Sequence, residues 1–488
     1  MPVPPSELLA WHGRFGAFER LMPPWETLSV GRRVLGKQPG PSGLDGRGPI
    51  GDGAVLEMRL HKGPLRLPWI ADHHSFRDET HLEALPSSET AGTGRFKDTQ
   101  RKGPFARWEH EHKFVPSAVW PTGSELEDDV YYRVPMGMLG AALGGEYVEG
   151  VLNKMFSFRH ARTEADLRRH WAFRDRPRQR VVVSGGTGLI GSQLIPYLQG
   201  AGHEVVRLVR RQEDRSLGER ATDGAFERRW DPAEGRLDPG VFEGATAVVN
   251  LSGHNVASGR YTDDEKRRIL ESRLQTTSLI AQTIAGLDGS RPALIQASAT
   301  GFYGHRPGEQ ELAEDAKNGP GFLSDVCRQW EAAARPAAEA GARVVIARIG
   351  LVISPRGSVL DKMLPVFRAF LGGPIGDGTQ VWPWIAMDDV LGAMEHVLHS
   401  DIAGPVNFCS PAAVSNNAFA KVLGGVLRRP SALRVPAGLI EKLLGEFGRE
   451  TALKSTHAVP KRLQESGFSF LAPTLEDALR WELWIPRA

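Results

Sequence analysis

The residues with the clearest chemical reading form the run Val181-Val182-Val183-Ser184-Gly185-Gly186-Thr187-Gly188-Leu189-Ile190-Gly191. An apolar β-branched run leads directly into glycines and then into an amphipathic stretch. That order spells a buried strand, a tight turn and the start of a helix. Gly185 or Gly186 permits the turn, Gly188 lets the backbone approach a pyrophosphate, and Gly191 lets helix and strand pack closely. The phosphate would meet free N–H groups at the helix N-terminus, with Thr187, Leu189 and Ile190 completing the cradle. The next strand carries Arg207, Arg210 and Arg211, where an NAD site usually has a carboxylate for the ribose. A guanidinium instead pairs with a 2′-phosphate through a charge-assisted fork. NADP(H) is therefore the expected cofactor, with Arg210 and Arg211 on that phosphate and Arg207 facing solvent. Asn250-Leu251-Ser252-Gly253 ends another strand. Its polar side chains either touch ribose and nicotinamide or simply close a turn.

Further candidates lie downstream. Lys266 and Arg273 are seven residues apart, so they share a face of one helix. That face turns cations either toward cofactor phosphates and an anionic substrate or toward water. Ser298 and Thr300 sit at a strand end, placed to hydrogen-bond a ligand carbonyl or hydroxyl. Tyr303 follows in Gly301-Phe302-Tyr303-Gly304, as a proton donor or as an aromatic pocket wall. Cys327 reads as a buried, inert thiol. Of Asp388 and Asp389, one is expected to cap a helix and the other to meet a substrate hydroxyl. Near the N-terminus, His110 and His112 alternate on a strand and face one side. They read as part of an exposed polar strand face, and no metal site is expected.

These groups need a scaffold. From residue 181, strands are expected at 181–184, 204–209, 226–230, 246–251, 293–298 and 343–348. Helices are expected from 188, at 263–286 and at 321–340. Such alternation builds a parallel sheet. The fold class is an α/β Rossmann-type sheet with a small C-terminal cap region, preceded by an α+β domain. The chain of 488 residues exceeds what one core supports. The divisions are 1–170, a linker at 171–180, a cofactor domain at 181–425 and a small domain at 426–488. The 60 basic residues nearly cancel the 58 acidic ones, which gives no support for a nucleic-acid partner. Two distant cysteines, Cys327 and Cys409, make neither a zinc cluster nor a disulfide framework. No run of eighteen apolar residues occurs, so no membrane span is read. The opening MPVPPSELLAWHGRF lacks signal-peptide grammar, and a cytoplasmic location is expected.

The pieces VSGGTGLIGSQL, VVNLSGHNVASGRYTDDEKRRILESR, ASATGFYG, FLSDVCRQWEAAA, IARIGLVIS and WPWIAMDDV resemble, in order, the extended short-chain dehydrogenase/reductase superfamily. Within it, the resemblance is to the NAD-dependent epimerase/dehydratase-like family sometimes labelled a cell-division-inhibitor homologue. VPKRLQESGFSFLAPTLEDAL is similar to that family's small terminal domain. Classical members of the superfamily carry a Tyr-x-x-x-Lys pair; with Glu331 matched to the family's helix glutamate, Leu323 and Cys327 stand at those positions, a departure that resembles the atypical family. The resemblance also implies that Lys266 and Arg273 are characteristic family positions. FKDTQRKGPFARWEHEHKFVP and LEDDVYYRVPMGMLG resemble a polyketide-cyclase/START-like (SRPBCC) helix-grip domain. There, residues 140–160 would form the gripped helix, with Leu143, Tyr147, Val151, Lys154 and Phe158 facing inward over a hydrophobic ligand. The reading is an NADP(H)-dependent oxidoreductase or epimerase-like protein acting on a small-molecule substrate. The alternative is an NADP(H)-binding sensor or scaffold coupled to a hydrophobic-ligand domain.

Overall fold

A computed structural model describes residues 1–39, 46–62, 64–80, 92–210, 221–257, 259–308 and 310–487, without the side chains of 62 and 137–143. Arg211 and the Leu143 side chain therefore lie outside the described residues. The chain forms two compact units, one containing Met1–Arg178 and the other containing Gln179–Leu194 and Phe226–Ala488.

The first unit is an antiparallel sheet with helices before and after it. Helix α1 (Pro5–His12) leads to six strands that pair in chain order: β1 (Thr27–Val34), β2 (Val55–Lys62), β3 (Leu65–Asp78), β4 (Gly94–Lys102), β5 (Arg107–Pro116) and β6 (Ser124–Arg133). Helix α2 (Gly137–Trp171) then runs for 35 residues. Alternation sends Phe76, Phe96 and Phe114 inward against Leu8, Leu9 and Trp11 of α1 and Leu167 of α2. The N-terminal ammonium and carbonyl of Met1 bond Ser124 at the start of β6. The long helix departs from the expected stripe. Phe158 is buried, but Tyr147 and Val151 are exposed. Lys154 lies 4.3 Å from the Trp25 ring centroid, a cation–π contact that draws its stem along an aromatic surface.

The second unit is a seven-stranded sheet. Its strands are β7 (Arg180–Ser184), β8 (Glu204–Val209), β9 (Phe226–Arg229), β10 (Ala247–Asn250), β11 (Ala293–Ala299), β12 (Val344–Ile349) and β13 (Gly404–Phe408), in the order β9-β8-β7-β10-β11-β12-β13. The recorded ladders run parallel. Helices cover both faces of such a sheet, so its strands are apolar without alternation. Val181, Val182 and Val183 are all fully buried. Helix α3 (Gly191–Gly200) follows β7, α4 (Asp263–Ala285) precedes β11, and α5 (Phe322–Ala332) precedes β12. Ile280, Ala281 and Ile284 of α4 share a core with Val206, Val248 and Leu294. The helix expected at 321–340 is broken: Arg335–Glu339 forms a separate short helix, with Pro336 in its first turn.

A second core joins Ile353, Leu360, Trp382 and Trp384 to Phe419, Leu475 and Leu479, so the segment after residue 410 completes a lobe begun near 351. Helix α6 (Met387–Leu398) carries the two expected aspartates, and the structure corrects their roles. Ala386 occupies the cap position without a side-chain bond. Asp389, fully buried, accepts from the backbone N–H groups of Leu471 (2.7 Å) and Ala472 (3.1 Å). Asp388 accepts from the Trp481 indole. Both carboxylates fasten the C-terminal segment. Replacing Asp389→Ala should cost about 1–3 kcal/mol, because two buried donors lose their acceptor; urea denaturation would read the loss.

Candidate functional site

The glycine turn is built by close backbone approach. Gly185 has φ +71°, and a Cβ there would lie 2.7 Å from the Leu251 carbonyl carbon. A Cβ on Gly191 would lie 2.3 Å from the Gly185 carbonyl oxygen. The turn thus lies flat against the end of β10 with the start of α3 pressed on it. Gly188 N–H bonds the Gly185 carbonyl, and Ser192 N–H bonds the Gly188 carbonyl. The N–H groups of Leu189, Ile190 and Gly191 find no backbone acceptor among the described residues. Thr187 and Gly188 are exposed. These are the free donors that an anion needs at a helix N-terminus, and the cradle has no room for side chains at its two tight points.

From this turn the carboxyl edge of the sheet continues across β10 to β11. Asn250 is fully buried. It accepts from the Ser184 hydroxyl and donates to Thr277 (3.1 Å) and Gln296 (2.8 Å). Its amide therefore ties β7, β10, β11 and α4 together and is spent within the protein. Ser252, one step further, offers a hydroxyl with no recorded protein partner. Gly253 lets Arg273 come close: a Cβ there would be 3.3 Å from the guanidinium carbon. Arg273 donates to the carbonyls of His254 (3.0 Å) and Ile269 (2.9 Å) and packs over Trp330. Burial pulls its pKa below the ordinary value, while Cys327 and Tyr261 oppose that shift. No carboxylate pairs with it among the described residues. Lys266, on the same helix face, is paired with Glu446 at 2.5 Å.

The end of β11 is organised by a buried ion pair. Arg348 meets both oxygens of Glu331 at 2.9 Å. The Ser298 hydroxyl donates to Glu331 (2.7 Å), and Arg348 donates to the Tyr303 hydroxyl (3.0 Å) and the Glu314 carbonyl (3.0 Å). Tyr303 in turn donates to Asn407 (2.7 Å). Its ring is fully buried, and burial, partly offset by Arg348, pushes the phenol up to about 12. Thr300 differs: it is buried, yet its hydroxyl has no protein partner among the described residues. Cys327 lies alongside, buried, with its thiol pushed up to about 11 by burial and then by Glu331, against the pull of Arg273. Arg210 is exposed at the end of β8 with no acidic partner among the described residues, whereas Arg207, expected to face solvent, pairs with Glu227 at 2.6 Å.

Sequence reasoning missed two residues, Asn407 and Tyr261. Asn407 gives no motif signal, because its importance is spatial; Glu331 matches the family's helix glutamate, but its buried pairing with Arg348 is set by tertiary contact. Tyr261 was passed over as the residue before the Thr262 helix cap. Its hydroxyl is buried without a partner, and its ring packs between Phe322 and Phe447.

A parallel sheet with a glycine turn at the carboxyl end of its first strand defines a Rossmann-type dinucleotide-binding unit. Residues 181–408 match the NAD dependent epimerase/dehydratase family and residues 435–482 a domain of unknown function, DUF1731. The chain belongs to the epimerase/dehydratase family. An epimerase family protein of Mycobacterium tuberculosis is 37% identical over 300 residues, which are 61% of this chain and 96% of that protein. The human epimerase family protein SDR39U1, in a crystal structure with NADPH, is similar with 30% identity and a TM-score of 0.56, covering 62% of this chain and 99% of that one. A structure described as the nucleoside-diphosphate sugar epimerase from Corynebacterium glutamicum reaches a TM-score of 0.72 at 29% identity, covering 99% of this chain and 88% of that one. Similarity to that protein therefore extends over the N-terminal unit as well.

Three outcomes check this geometry. Gly191→Ala should weaken dinucleotide binding at least tenfold in a fluorescence titration, because its Cβ must displace the Gly185 carbonyl. Arg348→Met should destabilise the second unit by about 3–5 kcal/mol, since it leaves Glu331 buried and unpaired; thermal and urea unfolding would measure it. Both cysteines are buried, and Cys327 stays protonated well above neutrality. Native protein at pH 8 should therefore be silent to a thiol reagent, with two thiols reacting only after unfolding.

Proposed function

We propose that the second unit binds NADP(H) and acts as an oxidoreductase or epimerase-like enzyme on a small-molecule substrate. The observation that carries this reading is the continuous edge from the glycine turn to Arg273. Gly185 abuts Leu251, Gly253 abuts Arg273, and Arg273 packs over Trp330 of α5. The free amides after Gly188 take the pyrophosphate, and Arg210 with Arg211 takes the 2′-phosphate. Ser252 serves the nicotinamide ribose. The human relative's NADPH supports the same choice of cofactor.

When bound, the nicotinamide supplies reversible hydride transfer. This chain's residues orient it and hold the positive field. With Leu323 and Cys327 at the usual tyrosine and lysine positions, no ammonium comes from α5. Arg273 supplies a cation to the same region from α4. Thr300 offers a hydroxyl to the substrate oxygen, and Ser298 and Tyr303 hold the wall behind it through Glu331 and Arg348. The Corynebacterium relative makes nucleoside-diphosphate sugars the first substrates to test. For the N-terminal unit, the six-stranded antiparallel sheet followed by a 35-residue helix supports a START-like, helix-grip reading with an apolar ligand.

The second reading, a sensor or scaffold that binds NADP(H) without turnover, draws support from the full burial of Tyr303 and the loss of the usual pair. Fluorescence titration should give NADPH at least tenfold tighter binding than NADH, and Arg210→Ala should reduce that ratio. Equal affinities would overturn the cofactor assignment. Arg273→Met should lower turnover on a nucleotide-sugar panel, with Arg273→Lys recovering part of it. NADPH binding without turnover on any panel member would favour the sensor.

A further inference from the structure

The N-terminal unit holds a cluster that the proposed cofactor chemistry does not use. Asp98 on β4 stands directly opposite His110 on β5, and His112 stands directly opposite Asp128 on β6. Residues directly opposite across an antiparallel ladder project to one face, and so do residues two apart on one strand. The four side chains therefore converge. His110 is 2% exposed, so the strand face expected to be solvated is instead turned inward.

The atoms are arranged in two layers. Asp98 Oδ2 lies 3.1 Å from His110 Nδ1 and 3.7 Å from His112 Nε2. Its other oxygen accepts from the Trp108 indole at 3.1 Å, which fixes the carboxylate plane. Behind the imidazoles, Asp128 Oδ1 is 3.1 Å from His110 Nε2 and 2.7 Å from His112 Nδ1. Its second oxygen takes His160 Nε2 of α2 at 2.6 Å. Each imidazole thus has one nitrogen near Asp98 and the other near Asp128, and the His110 contact with Asp128 has hydrogen-bond geometry. The Asp98, His110 and His112 ligand atoms all lie within 4.8 Å of one another. Donors bound about 2.1 Å from a tetrahedral ion would be about 3.4 Å apart, close to the two separations from Asp98.

We propose that Asp98, His110 and His112 bind a divalent first-row transition metal as a two-histidine, one-carboxylate set, with Asp128 orienting both imidazoles. Two imidazoles and one carboxylate suit zinc, iron or cobalt and leave coordination positions open. A carboxylate behind a ligating histidine fixes its tautomer and raises its basicity. The surroundings fit an inner sphere of this kind. His12 bonds the Leu8 carbonyl through Nδ1 (2.8 Å), so its Nε2 carries a lone pair. That nitrogen is buried without a partner, and the ring centroid lies 6.1 Å from that of His112. It is an acceptor suited to a metal-bound water. His160, partly exposed, marks the side from which an ion can enter.

The test uses the full chain, stripped with chelator and titrated with Co²⁺ and Zn²⁺. The expected result is one equivalent of Co²⁺ with visible ligand-field bands, displaced by Zn²⁺, and a rise in melting temperature. His112→Ala and Asp98→Asn should each weaken binding at least tenfold; Asp98→Asn keeps the side-chain shape and the acceptor for Trp108. Asp128→Asn should weaken binding about 10–100-fold at unchanged stoichiometry. His74→Ala, at an exposed histidine bonded to Ser75, should change nothing. Far-UV circular dichroism and cooperative thermal unfolding of each variant, recorded without metal, report that the first unit is folded. Absence of cobalt bands, or bands of equal intensity and affinity in a folded Asp98→Asn variant, would overturn the assignment in favour of a cluster held together by shared protons.

Discussion

The buried pair Arg348–Glu331 is the constraint on which the second unit's site depends. A guanidinium and a carboxylate taken out of water are tolerated only when nearly all of their bonding capacity is met. Meeting it recruits Ser298 from β11, Tyr303 from the turn after it, and the Glu314 carbonyl. Tyr303 then fixes Asn407 on β13. One electrostatic requirement thereby sets the positions of three strands, a helix and a loop at the carboxyl edge. Groups that could serve a substrate on sequence grounds are occupied in holding that edge rigid. The hydroxyls left over are those of Thr300 and Ser252.

In the proposed function, Arg273 takes an electrostatic role that usually sits on another element. A helix after β11 usually supplies the cation near the nicotinamide. Here α5 presents a neutral, buried thiol, and the guanidinium comes from α4, supported by two carbonyls and an indole face. Guanidinium keeps its charge under partial burial better than an ammonium does, which suits a site walled by Trp330 and Cys327. Its planar fork also suits an anionic group better than a lysine's point charge.

Much of the parallel unit was legible in the sequence. Continuous β-branched runs mark strands buried on both faces, and β7, β8, β10, β11 and β12 fall within a residue or two of expectation. The glycine turn was equally legible, because close backbone contact can be met only by glycine. What escaped was set by tertiary partners. Asp388 and Asp389 look like a helix start, but their acceptors serve donors more than eighty residues away. Asn250 reads either as a ligand group or as a turn closing a strand; its oxygen does accept from the Ser252 N–H, and the rest of its amide is spent between neighbouring strands. HEHKF looks polar and hence exposed; its histidines turn inward because Asp98 and Asp128, on two other strands, meet their ring nitrogens. Burial of a polar residue depends on who faces it, and pairing across a sheet is not written locally.

The anchoring of the last segment bears on synthesis of the chain. Asp389 precedes its partner Leu471 by 82 residues. At about 5–20 residues per second, a ribosome needs several seconds to cover that distance. Throughout that interval α6 carries two carboxylates on a surface that will become fully buried, with no donors yet made to receive them. The lobe around Trp382 and Trp384 can therefore close only after residues 471–483 have been made. Until then the nascent lobe presents an open apolar face, and this is the stage at which a chaperone would have most to hold.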